Sequence, residues 1–156
     1  MNNVPDNYEF SLKDVQTVML NVQGVSITSL QDAFQKAEDK YFNSDYAGSK
    51  DRLRSFRDYG QYGHKFIDAN WCEDEEFGDT GLGSAWVKYD RDDEGDLTED
   101  SIEEYYEHYT GTDGTGDLFE GTYSVSYDFP SEYDGICYDY QNGLRVSGSE
   151  QDCQYC

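Results

Sequence analysis

Asn43-Ser44-Asp45-Tyr46-Ala47-Gly48-Ser49-Lys50-Asp51-Arg52-Leu53-Arg54-Ser55-Phe56-Arg57-Asp58-Tyr59-Gly60-Gln61-Tyr62-Gly63 is the stretch around which the chain is read. It carries Lys50, Arg52, Arg54 and Arg57, four of the eleven cationic residues in a chain of net charge −23. Tyr46-Ala47-Gly48 reads as a turn, and Ser49 can then cap a short helix with Leu53, Phe56 and Tyr59 on its inward side. Asp51, Arg54 and Asp58 fall at the spacings that pair charges along a helix. Gly60 and Gly63 end it.

Two helices are expected upstream. Ser11-Leu12-Lys13-Asp14 has the form of a capping box, with an acidic residue near the positive end of the dipole. Leu12, Val15, Met19 and Val22 follow at helical spacing, and Gly24 stops the helix. Ser29-Leu30-Gln31-Asp32 repeats the device, with Leu30, Ala33, Phe34, Ala37 and Tyr41 on the buried stripe. Residues 1–63 therefore read as a three-helix module.

Charge divides the chain unevenly. Residues 1–66 hold 9 acidic and 8 basic residues, whereas 67–156 hold 25 acidic and 3 basic. Such an acidic half repels nucleic acid and anionic membranes, so neither is an expected partner. The hydrophobic fraction is only 36%, but 15 Tyr and 8 Phe supply large apolar surfaces, which points to a folded protein. The first residues lack the basic and apolar runs of a secretory signal, and synthesis in the cytoplasm is expected.

Beyond the module, residues 64–84 read as an acidic, glycine-rich connection, and 85–156 as an acidic, Tyr-rich α+β domain. Ala85 to Tyr89 alternates like a strand, and Thr98 to Thr110 reads as a helix whose Ile102, Tyr105, Tyr106 and Tyr109 face inward, with Gly111 as its cap. Thr122 to Phe129 alternates most clearly. Asn142-Gly143 marks a hairpin, for which a three-residue loop pairing Tyr140 with Leu144 is preferred because it gathers apolar residues on one face. The expected fold class is α+β: an N-terminal three-helix module, then a small antiparallel sheet with one packed helix.

Chemistry-bearing clusters are sparse. Asp90, Asp92, Glu94 and Asp96, followed by Leu97, resemble the front half of a calcium loop, but Ser101 stands where a bidentate Glu is needed, and a solvated acidic loop is the expectation. Cys153 and Cys156, with Cys72, Cys137, His64 and His108, offer too loose a spacing for zinc. Free thiols are the starting expectation, with a disulfide from Cys137 to Cys153 or Cys156 as the alternative in oxidising surroundings. Neither histidine has a catalytic context, and no cofactor loop is present, so an enzyme is not expected. Lys50, Arg52, Arg54, Phe56, Arg57 and Tyr59 form the candidate partner-binding set, suited to an acidic protein surface.

The series Ser-Leu-x-Asp, Leu-x-Asp-Ala-Phe and Phe-Asn-Ser-Asp-Tyr-Ala-Gly-Ser-Lys-Asp-Arg-Leu-Arg-Ser-Phe-Arg-Asp-Tyr-Gly, over residues 8–63, resembles a small module of virion structural proteins from bacteriophages infecting Bacteroidetes. That resemblance implies a capsid, decoration, fibre or tail-associated component, located in the virion and binding other virion proteins and copies of itself. The alternative, motivated by the acidic half, is a DNA mimic or anti-defence protein that occupies a host DNA-binding protein.

Overall fold

The computed structural model describes residues 1–91, 97–127 and 133–156. They form two compact units: Met1–His64 with Lys88–Glu103, and Lys65–Val87 with Glu104–Cys156. The boundary falls inside three strands.

In the first unit, α1 (Leu12–Gln23) starts where Ser11 N–H donates to the Asp14 carboxylate at 2.9 Å, and ends on Gly24 in the left-handed conformation. The second helix, α2 (Leu30–Lys36), is capped by the Ser29 hydroxyl, which accepts from Asp32 N–H at 3.0 Å. Val15, Val18 and Met19 from α1 and Ala33 from α2 pack with Val4, Ile27, Phe42, Phe56 and Tyr59 into one buried core. Four aromatic rings, Phe34, Phe42, Phe56 and Tyr59, meet with centroids 4.7 to 5.2 Å apart.

The third short helix expected between Ser49 and Gly60 does not form. In its place are α3 (Ser44–Ala47) and a single 3-10 turn over Leu53–Phe56. Gly48 and Lys50 both take positive φ and Arg52 is extended, so the helix breaks where continuous capping and pairing were expected. Asp58 also takes positive φ and turns its carboxylate inward instead of pairing along a helix.

Most of the remaining chain is sheet. Strands β1 (Tyr62–Glu73), β2 (Thr80–Asp90), β3 (Ile102–Tyr109), β4 (Gly121–Ser126), β5 (Ile136–Gln141) and β6 (Leu144–Arg145) lie in the order β3-β2-β1-β4-β5-β6, and β7 (Gln151–Asp152) adds to β5. At the far side β3 meets the β5–β6 turn: His108 N–H donates to Gly143 O at 2.8 Å, and Phe119 N–H donates to His108 O at 3.0 Å. The sheet of the second unit is thus a nearly closed antiparallel barrel. An α+β chain with a three-helix docking module and a small sheet is therefore the wrong description. Among the described residues there are only three short α-helices, and β structure dominates.

Two particular misreadings produced that error. Thr98 to Thr110 is not a helix: after a 3-10 turn it becomes β3, where Tyr and Ile suit a pleated, half-buried surface and His108 closes the barrel. Residues 64–84 are not a flexible connection but β1 and the start of β2. Gly81 and Gly83 are there for space: a Cβ at Gly83 would stand 2.8 Å from the Trp71 ring and 2.3 Å from Tyr109 O.

Within the barrel, Trp71 faces Val125 and Tyr123 faces Tyr138 across neighbouring strands. Phe119, Tyr123 and Tyr140 form the buried aromatic centre, with Phe119 and Tyr123 stacked at 4.2 Å. The hairpin register also differs from expectation: Tyr140 pairs with Arg145 and Gln141 with Leu144. Asn142 and Gly143 both adopt positive φ, so a two-residue turn closes the loop. Apolar gathering loses to a polar stack, because Arg145 lies 3.8 Å over the Tyr138 ring and donates to the Tyr140 hydroxyl at 3.1 and 3.2 Å, while Leu144 remains 48% exposed.

Candidate interaction surface

The segment 43–63 is organised by a buried charge. Asp58 is fully buried; one carboxylate oxygen accepts from Asn3 at 2.8 Å and sits 2.6 Å from His64 Nδ1, and the other accepts from Asn43 at 2.9 Å and from His64 N–H at 3.0 Å. Arg91 stands 3.7 Å away and donates to the carbonyls of Tyr41, Asp58 and Gly60. A buried carboxylate with this many donors holds its loop in one conformation.

That anchoring sorts the candidate contact residues. Phe56 and Tyr59 are core, each 0% exposed, and the Tyr59 hydroxyl donates to Gln23 Oε1. Neither can meet a partner. Lys50 pairs with Asp39 at 2.5 Å and lies over the Phe42 ring. Arg57 is sandwiched between Tyr8 and Tyr46, 4.8 and 3.8 Å from their centroids, and bonds Asp6 at 3.1 Å. Burial raises the Asp6 pKa, with Asp58 adding to the shift, and burial together with Asp6 pushes Tyr46 up to about 12.

Arg52 and Arg54 remain outward. Arg52 is only loosely paired, its Nε 3.9 Å from Asp51, whose carboxylate accepts from the Ser49 hydroxyl at 2.6 Å and titrates below its usual value for that reason first. Arg54 borders a groove of about 360 Å³ with Tyr8, Phe10 and Leu53, and Tyr8 is 59% exposed. Sequence reasoning did not find Tyr8 or Phe10, which come from the irregular segment before α1 and meet the 3-10 turn only in the fold.

In the second unit the cysteines are fully paired. Cys137 bonds Cys153, and Cys72 bonds Cys156 across 84 positions. The starting expectation of free thiols is thereby corrected. Asp74 lies beside Cys137 and Cys156 in a metal-like cluster, but both sulfurs are in disulfides, and the Asp74 carboxylate accepts from the backbone N–H groups of Gln154, Tyr155 and Cys156. It ties down the tail and its pKa is lowered by those bonds. His108 is buried, its Nε2 2.6 Å from the Tyr127 hydroxyl and its Nδ1 3.2 Å from Gly143 O, and burial pulls its pKa down to about 4. Asp90 ends β2; Asp92, Glu94 and Asp96 of the calcium candidate lie outside the described residues.

Comparison of the chain with protein-family models, with curated proteins and with solved structures found no match.

Proposed function

We propose that this protein is a structural component of a bacteriophage particle and works through protein–protein contacts, as the resemblance over residues 8–63 implies. The observation that carries the reading furthest is the pair of disulfides, Cys72–Cys156 and Cys137–Cys153. Disulfides persist in oxidising surroundings and are rare in a reducing cytoplasm. A particle component meets such surroundings once released. A DNA mimic acting on a host protein would work in the cytoplasm, where the same bonds have no advantage. The exposed Tyr8, Arg52 and Arg54 add a surface of the kind enriched at protein contacts.

Mass spectrometry of purified, nuclease-treated particles, quantified against the major capsid protein, tests the proposal. Many copies per particle are expected. Absence from particles, with presence in infected cells, would overturn it in favour of the DNA-mimic reading.

A further inference from the structure

The β1–β2 hairpin of the second unit ends in an exposed aromatic. Its turn is fixed by backbone bonds from Glu73 N–H to Asp79 O at 3.0 Å and from Gly78 N–H to Glu75 O at 2.8 Å. At the tip Phe77 is 92% exposed, flanked by Glu75, Glu76 and Asp79. An aromatic side chain left this far in water on a bonded turn is a contact group without its contact. Its setting is electrostatically strained. The Glu73 carboxyl is raised above its ordinary value by burial and then by the neighbouring Glu75 and Asp79, so a cation arriving at the tip relieves repulsion.

The first unit carries a surface of matching chemistry. The groove lined by Tyr8, Phe10, Leu53 and Arg54 has a floor more apolar than polar and about 360 Å³ of room, enough for a phenyl ring. Arg54 stands at its edge, and exposed Arg52 lines the adjoining depression. Asp45 and Asp51 line that depression too; Asp51 is already held by Ser49 and Arg52. In a chain with 34 acidic and 11 basic residues, two outward arginines beside an aromatic groove are the natural seat for an acidic hairpin.

We infer that the Phe77 hairpin of one copy docks in the Tyr8–Phe10–Leu53 groove of a second copy, with Glu75, Glu76 and Asp79 facing Arg52 and Arg54. The contact uses different surfaces on the two partners, so it is head-to-tail and propagates into a ring or an open chain. A single aromatic anchor with a charged rim makes a weak contact that gains strength through repetition in an assembly. The inference deepens the contact-making reading above by naming the partner and the surfaces. Its test uses purified protein alone, so it and the particle measurement fail separately.

Sedimentation velocity of the oxidised 156-residue chain, from micromolar to near-millimolar concentration, tests it. Concentration-dependent oligomers are expected, weakening as salt is raised. Phe77→Ala and Arg54→Glu, both at exposed positions and both expected to melt like the parent, each weaken association about tenfold or more. Mixing the two variants gives the discriminating result: the intact groove of F77A accepts the intact hairpin of R54E, and a one-to-one heterodimer forms that grows no further. A parent that stays monomeric throughout, an F77A variant that associates like the parent, or a mixture that behaves as the sum of its parts would overturn the inference.

Discussion

The two units solve the same problem, a compact fold in a highly acidic chain, with different chemistry. The first unit contains no cysteine and is centred on a buried charge, with Asp58 accepting from Asn3, Asn43 and His64 while Arg91 stands beside it. The second holds both disulfides, an aromatic centre of Phe119, Tyr123 and Tyr140, and a neutral buried histidine. Noncovalent polar bonds give the first unit a defined loop that can present arginines. Covalent closure lets the second carry carboxylates at high density without relying on a large apolar core.

The strongest way to break this contrast is reduction. Both tryptophans, Trp71 and Trp86, belong to the second unit and both longer helices to the first, so tryptophan fluorescence and helical circular dichroism report the two units separately. Opening the 84-residue Cys72–Cys156 link costs about 4.5 kcal/mol on chain-entropy grounds, and the 16-residue Cys137–Cys153 link about 3. Reductant should lower the fluorescence-detected urea midpoint sharply and leave the helical signal's midpoint in place. Equal shifts of both would mean that the division is wrong.

Asp58→Ala is the converse test. It leaves the Arg91 guanidinium without its counter-charge and strips the acceptor from Asn3, Asn43 and His64, at about 3 to 5 kcal/mol. The helical transition should move and the tryptophan transition should not.

Acid sharpens the comparison from the other side. Burial pulls the folded pKa of His108 down to about 4 from the ordinary histidine value of 6.5, so between those values the unfolded chain binds a proton that the folded chain refuses. Stability of the second unit is therefore full above pH ~6.5 and falls as pH drops toward ~4, by about 3 kcal/mol in total. Carboxylate protonation affects parent and variant alike, so the quantity to measure is the difference in pH slope between the parent and His108→Gln. A slope unchanged by the substitution would remove His108 as the cause.

How much of this was legible beforehand follows the range of the interactions. The Ser11 and Ser29 helix starts and the Thr122 strand are set by residues within a few positions of one another, and the sequence reading located each. Ile102 to Tyr109 fits helical spacing as well as a strand, and distant partners decide between them: β3 pairs with β2, and His108 bonds to Gly143 and Phe119. Gly81 and Gly83 looked like linker because the Trp71 ring that lies against them is ten and twelve residues away. The hairpin register turned on Arg145 stacking over Tyr138, a pairing that hydrophobic patterning does not weigh. For the contact surface, the cluster of arginines was visible, but Phe56 and Tyr59 belong to the core and Tyr8 and Phe10 arrive from elsewhere in the chain.

The smallest effect checks the local end of that scale. Ser29→Ala removes the acceptor for Asp32 N–H at the start of α2 and should cost about 1 kcal/mol, seen only in the helical transition. A comparable loss in the tryptophan signal would show the units to be more tightly coupled than their separate cores suggest.

The most direct test of the account is differential alkylation, before and after reduction, of protein recovered from the particles in which we propose it resides, followed by peptide mass spectrometry. Linked peptides joining Cys72 to Cys156 and Cys137 to Cys153, with no alkylation before reduction, are the expected result. Four freely alkylated cysteines in the native material, or other pairings, would contradict the claim that the acidic unit is closed covalently where the protein works.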